Sequence, residues 1–176
     1  MGDVDIYCIG KTEDFDFTTF AANVVHPLAL SIGSVADMAN QVVLACKSAA
    51  AKLAELTIVG HGDPLGQYIG GDWVDKGSLG SFRTGLVRLQ PLFGRDGLVT
   101  LGGCEQGQNG AFLLALSDML NVPVRGFTAY QRALWPGNQG SETRCYLTCT
   151  RGQRDAWDDY IDPGIKRVRR AFSGGD

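Results

Sequence analysis

Short apolar runs of strand length recur along the chain, and several are closed by glycine. Val4-Asp-Ile-Tyr-Cys-Ile9 precedes Gly10, Leu56-Thr-Ile-Val59 precedes Gly60-His61-Gly62, and Leu98-Val-Thr-Leu101 precedes Gly102-Gly103-Cys104. Val122 to Phe127 is a fourth such run, and Glu142 to Thr150 alternates as a late strand expected at a sheet edge. Helical spacing fills the intervals. Val35, Met38, Ala39, Val42, Val43, Cys46 and Leu53 follow Ser34, which forms a capping box with Asp37 standing where Glu is usual. Ser78 is expected to cap a helix carrying Leu79, Phe82, Leu86, Leu89 and Phe93, disturbed at its end by Pro91. Gln108 and Asn109 precede a third helix with Ala111, Phe112, Leu114, Ala115 and Met119 on one side and Asn121 at its close.

Strand, helix and strand in alternation predict an α/β fold, with a mostly parallel central sheet flanked by helices joined through right-handed crossovers. Gly66 to Asp75, rich in glycine and aromatics, predicts a small hairpin. Lys11 to Phe20 lacks a period and reads as a loop entering a helix near Thr18 or Thr19, which His26-Pro27 interrupts or ends. Gly126 to Gly140 reads as a long irregular connection, and Arg151 to Asp176 as a terminal helix with a frayed end.

At 176 residues the chain suits one domain, 1–176, able to bury roughly 70% of its unfolded surface. A net charge of −3 provides no electrostatic footprint for nucleic acid. No apolar run approaches the ~20 residues that span a bilayer, and the acidic start Met-Gly-Asp-Val-Asp is unlike a secretory signal, so no membrane association is expected. Five cysteines in no framework spacing favour reduced thiols in a cytoplasmic protein, or in an effector exported to fold elsewhere.

Two side chains stand where a parallel sheet places its ligands, beyond strand C-termini: His61 and Cys104. A thiol nucleophile served by a histidine base needs this pairing, and neighbouring glycines let the backbone turn sharply and bring an N–H toward an oxyanion. The third helix is expected to aim its N-terminal N–H groups near Cys104, an environment suited to negative charge on sulfur. Asp63 either orients the imidazole or starts a turn with Pro64, and Glu105 either binds a basic substrate side chain or caps the following helix. Other chemistries lack their residues. The chain has no Gly-x-Ser-x-Gly elbow, the segment around Gly102-Gly103 lacks the P-loop Lys-Ser/Thr and the dinucleotide glycine spacing, and Cys145 with Cys149 reads as two core thiols without further zinc ligands.

Ile58-Val-Gly-His-Gly62 and Val99-Thr-Leu-Gly-Gly-Cys-Glu-Gln-Gly107 resemble the two motifs of the caspase-fold cysteine peptidases, the group of caspases, legumains, gingipains and separases. Within it, Cys-Glu-Gln-Gly before a glycine and an apolar helix looks most like bacterial CHAT-type and related caspase-like domains. Histidine precedes cysteine by 43 residues, close to the roughly 50 of caspases. Gly103 stands where many members have Ala, and the caspase Gln-Ala-Cys-Arg-Gly is missing, so aspartate specificity is not implied.

The resemblance, which covers about Leu56 to Tyr130, implies a three-layer caspase-like fold and a cysteine endopeptidase working through a thioester without metal or cofactor. It assigns His61 and Cys104 as the catalytic dyad, the N–H groups of Gly62 and Cys104 as the oxyanion hole, and a protein or peptide as substrate. Asp63, Glu105, Phe127 and Tyr130 are the candidate substrate-binding residues. The basic Arg167-Val-Arg-Arg170 is either a self-cleavage site or, as such runs more often are, a solvated helix face. Two other functions compete: a catalytically silent caspase-like module that binds a peptide or partner, and a cysteine-dependent acyltransferase or deamidase-type effector.

Overall fold

The computed structural model of the chain describes residues 2–11 and 28–127, and the backbone course of residues 144–150, 153–160 and 168–169. Its strands are β1 (Gly2–Gly10), β2 (Ala29–Ile32), β3 (Ala51–Val59), β4 (Gly66–Ile69), β5 (Asp72–Asp75), β6 (Phe93–Leu101), β7 (Val124–Phe127), β8 (Arg144–Thr150), β9 (Gln153–Tyr160) and β10 (Val168–Arg169). The α-helices are α1 (Val35–Ala49), α2 (Arg83–Val87) and α3 (Gly110–Leu120). The large sheet runs β10-β9-β8-β7-β6-β3-β1-β2, and β4 with β5 forms a separate hairpin. The five strands β7, β6, β3, β1 and β2 are parallel, whereas β8, β9 and β10 join antiparallel. This is the α/β architecture with a mostly parallel sheet that the pattern predicts.

Alternation along the strands decides which face meets the helices. Ile6 and Cys8 of β1, Leu56 and Ile58 of β3, Val99 and Leu101 of β6 and Val124 of β7 pack with Met38, Val42, Phe112 and Leu116 in one buried cluster. Burying each such side chain contributes roughly 1.5–3 kcal/mol, which makes this face the main source of stability. The opposite parity of the same strands carries polar groups. Thr57, Thr100 and Arg125 are register partners across β3, β6 and β7, all buried. Glu55 Oε1 accepts from Arg125 Nη2 at 3.0 Å and from the Thr100 hydroxyl, while Arg125 Nε donates to Thr100 Oγ1 at 2.9 Å.

Ser34 caps α1 as expected, its hydroxyl accepting from Asp37 N at 3.0 Å. The helix stops at Ala49 because Ala50 turns left-handed with φ 48°, so Leu53 belongs to β3 and not to the helical stripe. A strand missing from the sequence pattern, β2, lies outside β1, so α1 connects β2 to β3 across β1. Four residues, Ala-Leu-Ser-Ile, are too few to display a period.

Other boundaries also move. The helix expected after Ser78 is broken into a 3-10 turn at Leu79–Phe82, the short α2, and a second 3-10 turn at Gln90–Leu92 holding Pro91. Ser78 makes no cap; its Oγ accepts from Asp75 N at 2.9 Å. On α3 the buried face is Phe112, Leu113, Leu116, Ser117 and Leu120, a rotation from the predicted stripe that leaves Ala111 exposed. An almost wholly apolar helix gives periodicity little contrast to read.

Two expectations fail at the C-terminal end. β8 lies inside the sheet, between β7 and β9, and not at its edge. The predicted terminal helix is instead β9 and β10, with Val168 facing Asp159 and Arg169 facing Asp158 in the register. The charge-rich run Arg-Asp-Ala-Trp-Asp-Asp in β9 shows no apolar alternation, which masked a strand. The expected helix before His26-Pro27 and the connection containing Tyr130 and Trp135 lie outside the described residues. Among the described residues no helix is long and apolar enough to cross a membrane.

Candidate active site

Ile58 of β3 pairs with Leu101 of β6, and the two strands run parallel. His61 and Cys104 each follow three residues beyond that pair, so adjacent strand ends deliver both to one edge of the sheet. The backbone N–H of Gly102 donates to Ile58 O at 2.7 Å and continues the ladder past the strand itself. His61 is exposed and Cys104 half-buried. Among the described residues the imidazole makes no hydrogen bond.

After His61 the chain folds back on itself. Asp63 N donates to Gly66 O at 3.0 Å and Tyr68 N to His61 O at 2.8 Å, bracketing an antiparallel Gly62–Gln67 pair. In such a pair the two residues' own N–H groups point away from each other, so Gly62 N–H lies outside the ladder. His61 and Tyr68 share one side of this ribbon, and Gly62 and Gln67 share the other. Tyr68 is 41% exposed, and its ring meets Trp73 edge-on with centroids 5.0 Å apart. The hairpin is anchored by Gly71 N donating to Gly33 O at 2.9 Å and by Asp72 Oδ2 accepting from Val35 N at 2.8 Å at the start of α1.

Two fully buried glutamines tie the histidine loop to the cysteine turn. Gln67 Nε2 donates to Ile58 O at 2.9 Å, and its Oε1 accepts from Gly103 N at 3.0 Å. Gln106 runs the other way, donating Nε2 to Gly66 O at 2.6 Å and to Asp63 O at 3.2 Å. Asn109 adds a longer contact from Nδ2 to Leu65 O at 3.5 Å. No role was expected of Gln67 or Gln106. The available signal was that each sits beside a glycine, Gln106 next to Gly107 within the second motif and Gln67 next to Gly66 a few residues past the first.

Neither Gly62 nor Gly103 has a positive φ. A Cβ on Gly62 would overlap Gln106 Nε2, and one on Gly103 would overlap Gln106 Oε1 and stand 2.8 Å from Gln67 Oε1. They are small to admit the glutamines, not to turn the chain. The sharp turn belongs to Glu105, left-handed at φ 60°, ψ 8°. A non-glycine residue there costs of order 1 kcal/mol and signals a constrained site.

The remaining candidates separate. Asp63 Oδ1 accepts from Leu65 N at 2.7 Å and Gly66 N at 3.2 Å, which is the turn alternative. Glu105 makes no cap; its Oε1 accepts from Gln108 Nε2 at 3.1 Å, and the cap of α3 is Asn109, whose Oδ1 accepts from Phe112 N at 3.0 Å. A 3-10 turn at Gln106–Gln108 separates Cys104 from the start of α3 at Gly110, so the helix end is not immediately beside the thiol as expected. Phe127 closes β7 with 1% exposure, a packed position and not a surface one. Tyr130 lies outside the described residues.

The other described thiols differ from Cys104 in kind. Cys8 and Cys46 are buried in the core, and burial raises both thiols, Cys8 well above its ordinary range. Among the described residues no group of three or more His, Cys, Asp or Glu is arranged to hold a metal ion. Comparison of the chain with protein-family models, with curated proteins and with solved structures finds no match.

Proposed function

We propose that the chain is a caspase-like cysteine endopeptidase that hydrolyses peptide bonds through a thioester on Cys104. The observation that carries this reading is the placement of His61 and Cys104 three residues beyond the paired Ile58 and Leu101, on neighbouring parallel strands. That is where a histidine base and a thiol nucleophile serve one substrate carbonyl. His61 removes the thiol proton, and Cys104 Sγ attacks the carbonyl carbon. The resulting oxyanion is held by the N–H of Gly62, which the ribbon leaves unspent, together with the N–H of Cys104. His61 then returns the proton to the leaving amine, and the C–N bond breaks to leave the thioester. Water, deprotonated by His61, attacks it and releases the carboxylate product and the thiol.

A peptide-binding module without hydrolysis is the second reading, favoured by the absence, among the described residues, of any hydrogen bond to the imidazole. A peptide library incubated with the protein distinguishes the two, with new termini read by mass spectrometry. Cleavage by wild type that Cys104→Ala and His61→Ala both abolish is the expected result. Peptide capture without new termini would establish the silent module instead.

A further inference from the structure

We infer that Gln106 is a positioning residue that sets the placement of His61 against Cys104, and that the fold retains it at a cost in stability. The inference rests on the proposed pairing of those two residues. Gln106 is 0% exposed, and among the described residues its Oε1 has no hydrogen-bond partner. That oxygen is turned toward Gly103, beside the nucleophile, while Nε2 is spent on Gly66 O and Asp63 O of the histidine loop. A buried carbonyl oxygen without a donor is destabilising, so stability alone would favour an apolar side chain of the same length here.

The surroundings of Gln106 sharpen the point. Gly66 O already accepts from Asp63 N at 3.0 Å, and Asp63 stands at an exposed turn within reach of water. Gln106→Met therefore leaves no buried group newly unsatisfied and removes one that is. Gln67 is the opposite case: it supplies the acceptor for the buried N–H of Gly103, and Gln67→Met would orphan that donor. The two glutamines look alike by burial and differ in what their loss leaves behind. Only in Gln106 do holding the loop and holding the fold come apart.

The test compares wild type, Gln106→Met, Gln67→Met and His61→Ala by three readouts. These are the Tm, the exchange rates of the Asp63 and Tyr68 amides, and the rate of iodoacetamide modification of Cys104 at pH 6, located by peptide mass. Gln106→Met should keep or raise the Tm, speed exchange of both amides, and slow Cys104 modification about tenfold, since small displacements of reacting groups have large rate effects. Gln67→Met should lower the Tm. Unchanged Cys104 modification in Gln106→Met overturns the inference, and so does a Gln106→Met protein that loses Tm or fails to fold. If His61→Ala itself leaves Cys104 modification unchanged, the pairing of His61 with Cys104 falls and the inference falls with it. That result is distinct from failure of the positioning role alone, in which His61→Ala slows the reaction and Gln106→Met does not.

Discussion

Gln106 donates to the carbonyl of Gly66 at 2.6 Å, across 40 residues of chain, and so joins the turn after Cys104 to the ribbon after His61. Gln67 makes the reciprocal connection, from the ribbon back to Gly103 N at 3.0 Å. The two loops are thus crossed by amides in both directions, beneath the side of the ribbon opposite His61. Strand pairing of β3 with β6 brings the two motifs to the same edge, but the amides fix how the loops lie once there.

Glycine at 103 is required by this arrangement, because a methyl group would meet both glutamine oxygens. Gly103→Ala should lose roughly 1–3 kcal/mol, the usual cost of overpacking a filled interior. Gly80 offers the contrast, with nothing within 4 Å of the place a methyl group would take and no positive φ. Gly80→Ala should be neutral or slightly stabilising, as expected where the backbone already suits alanine. Urea midpoints for the two variants check the pair, and equal midpoints would remove the close-packing account.

How far the sequence revealed this site depends on which interactions carry it. The placement of His61 and Cys104 beyond adjacent strand ends was legible because local pattern carries it: an apolar strand, a glycine, then a reactive side chain. The cap at Ser34 and the hairpin at residues 66–75 were legible for the same reason. Gln67 and Gln106 were not, since their partners on the opposite loop lie 36 to 43 residues away and no period announces a side chain that bonds to a distant loop. β9 and β10 were misread because charge-rich strands lack apolar alternation, and the pairing of β9 with β8 and of β10 with β9 is a tertiary fact. Glu105 shows the limit for turns: glycine was the expected site of the sharp bend, yet a glutamate takes the left-handed conformation.

The thiols should react in a fixed order. Cys8 is pushed up first by burial and then by the nearby charge of Asp37, while Cys46 is pushed up by burial and drawn back somewhat by Lys52. Since the thiolate is the reactive form, neither should be alkylated in the folded protein at pH 7.5. Their modification should require unfolding and accelerate with denaturant, whereas half-buried Cys104 should react in the native state. Peptide mapping after timed exposure to iodoacetamide resolves each cysteine. Modification of Cys8 as fast as that of Cys104 in the absence of denaturant would contradict the buried core position.

Acid should act partly through Asp37. Its carboxylate accepts from Gly33 N at 2.8 Å and from Gln41 Nε2 at 3.0 Å, and these bonds hold the carboxyl below the ordinary range, against a smaller opposing effect of burial. A folded value below the unfolded one means that the ionised form favours the fold. The stabilisation is complete above the unfolded value near 4 and is lost as pH falls through the folded one. The Tm of wild type should therefore exceed that of Asp37→Asn by a constant margin from pH 7 to about 5, and the margin should close below about pH 4. A margin that persists unchanged at pH 2.5 would mean that the charge is not what stabilises the start of α1.

The polar network on the other face of the sheet centres on one ion pair. Arg125, with its side chain 9% exposed, depends on Glu55, which is 29% exposed, at 3.0 Å. Removing one partner of a fully buried pair costs about 3–5 kcal/mol, because the remaining charge is stranded. Water reaches Glu55 and Thr100 still accepts from Arg125 Nε, so Glu55→Leu should cost less, about 2 kcal/mol. Arg125→Met in the Glu55→Leu background removes a buried charge that has lost this carboxylate and should recover part of that loss. Urea denaturation of the single and double variants gives the coupling directly. Additive costs, with no recovery in the double variant, would mean that the ion pair contributes nothing beyond packing. Cys104 modification should be unchanged in both variants, since the amides that hold the two loops together bond to Ile58, Gly103, Gly66 and Asp63.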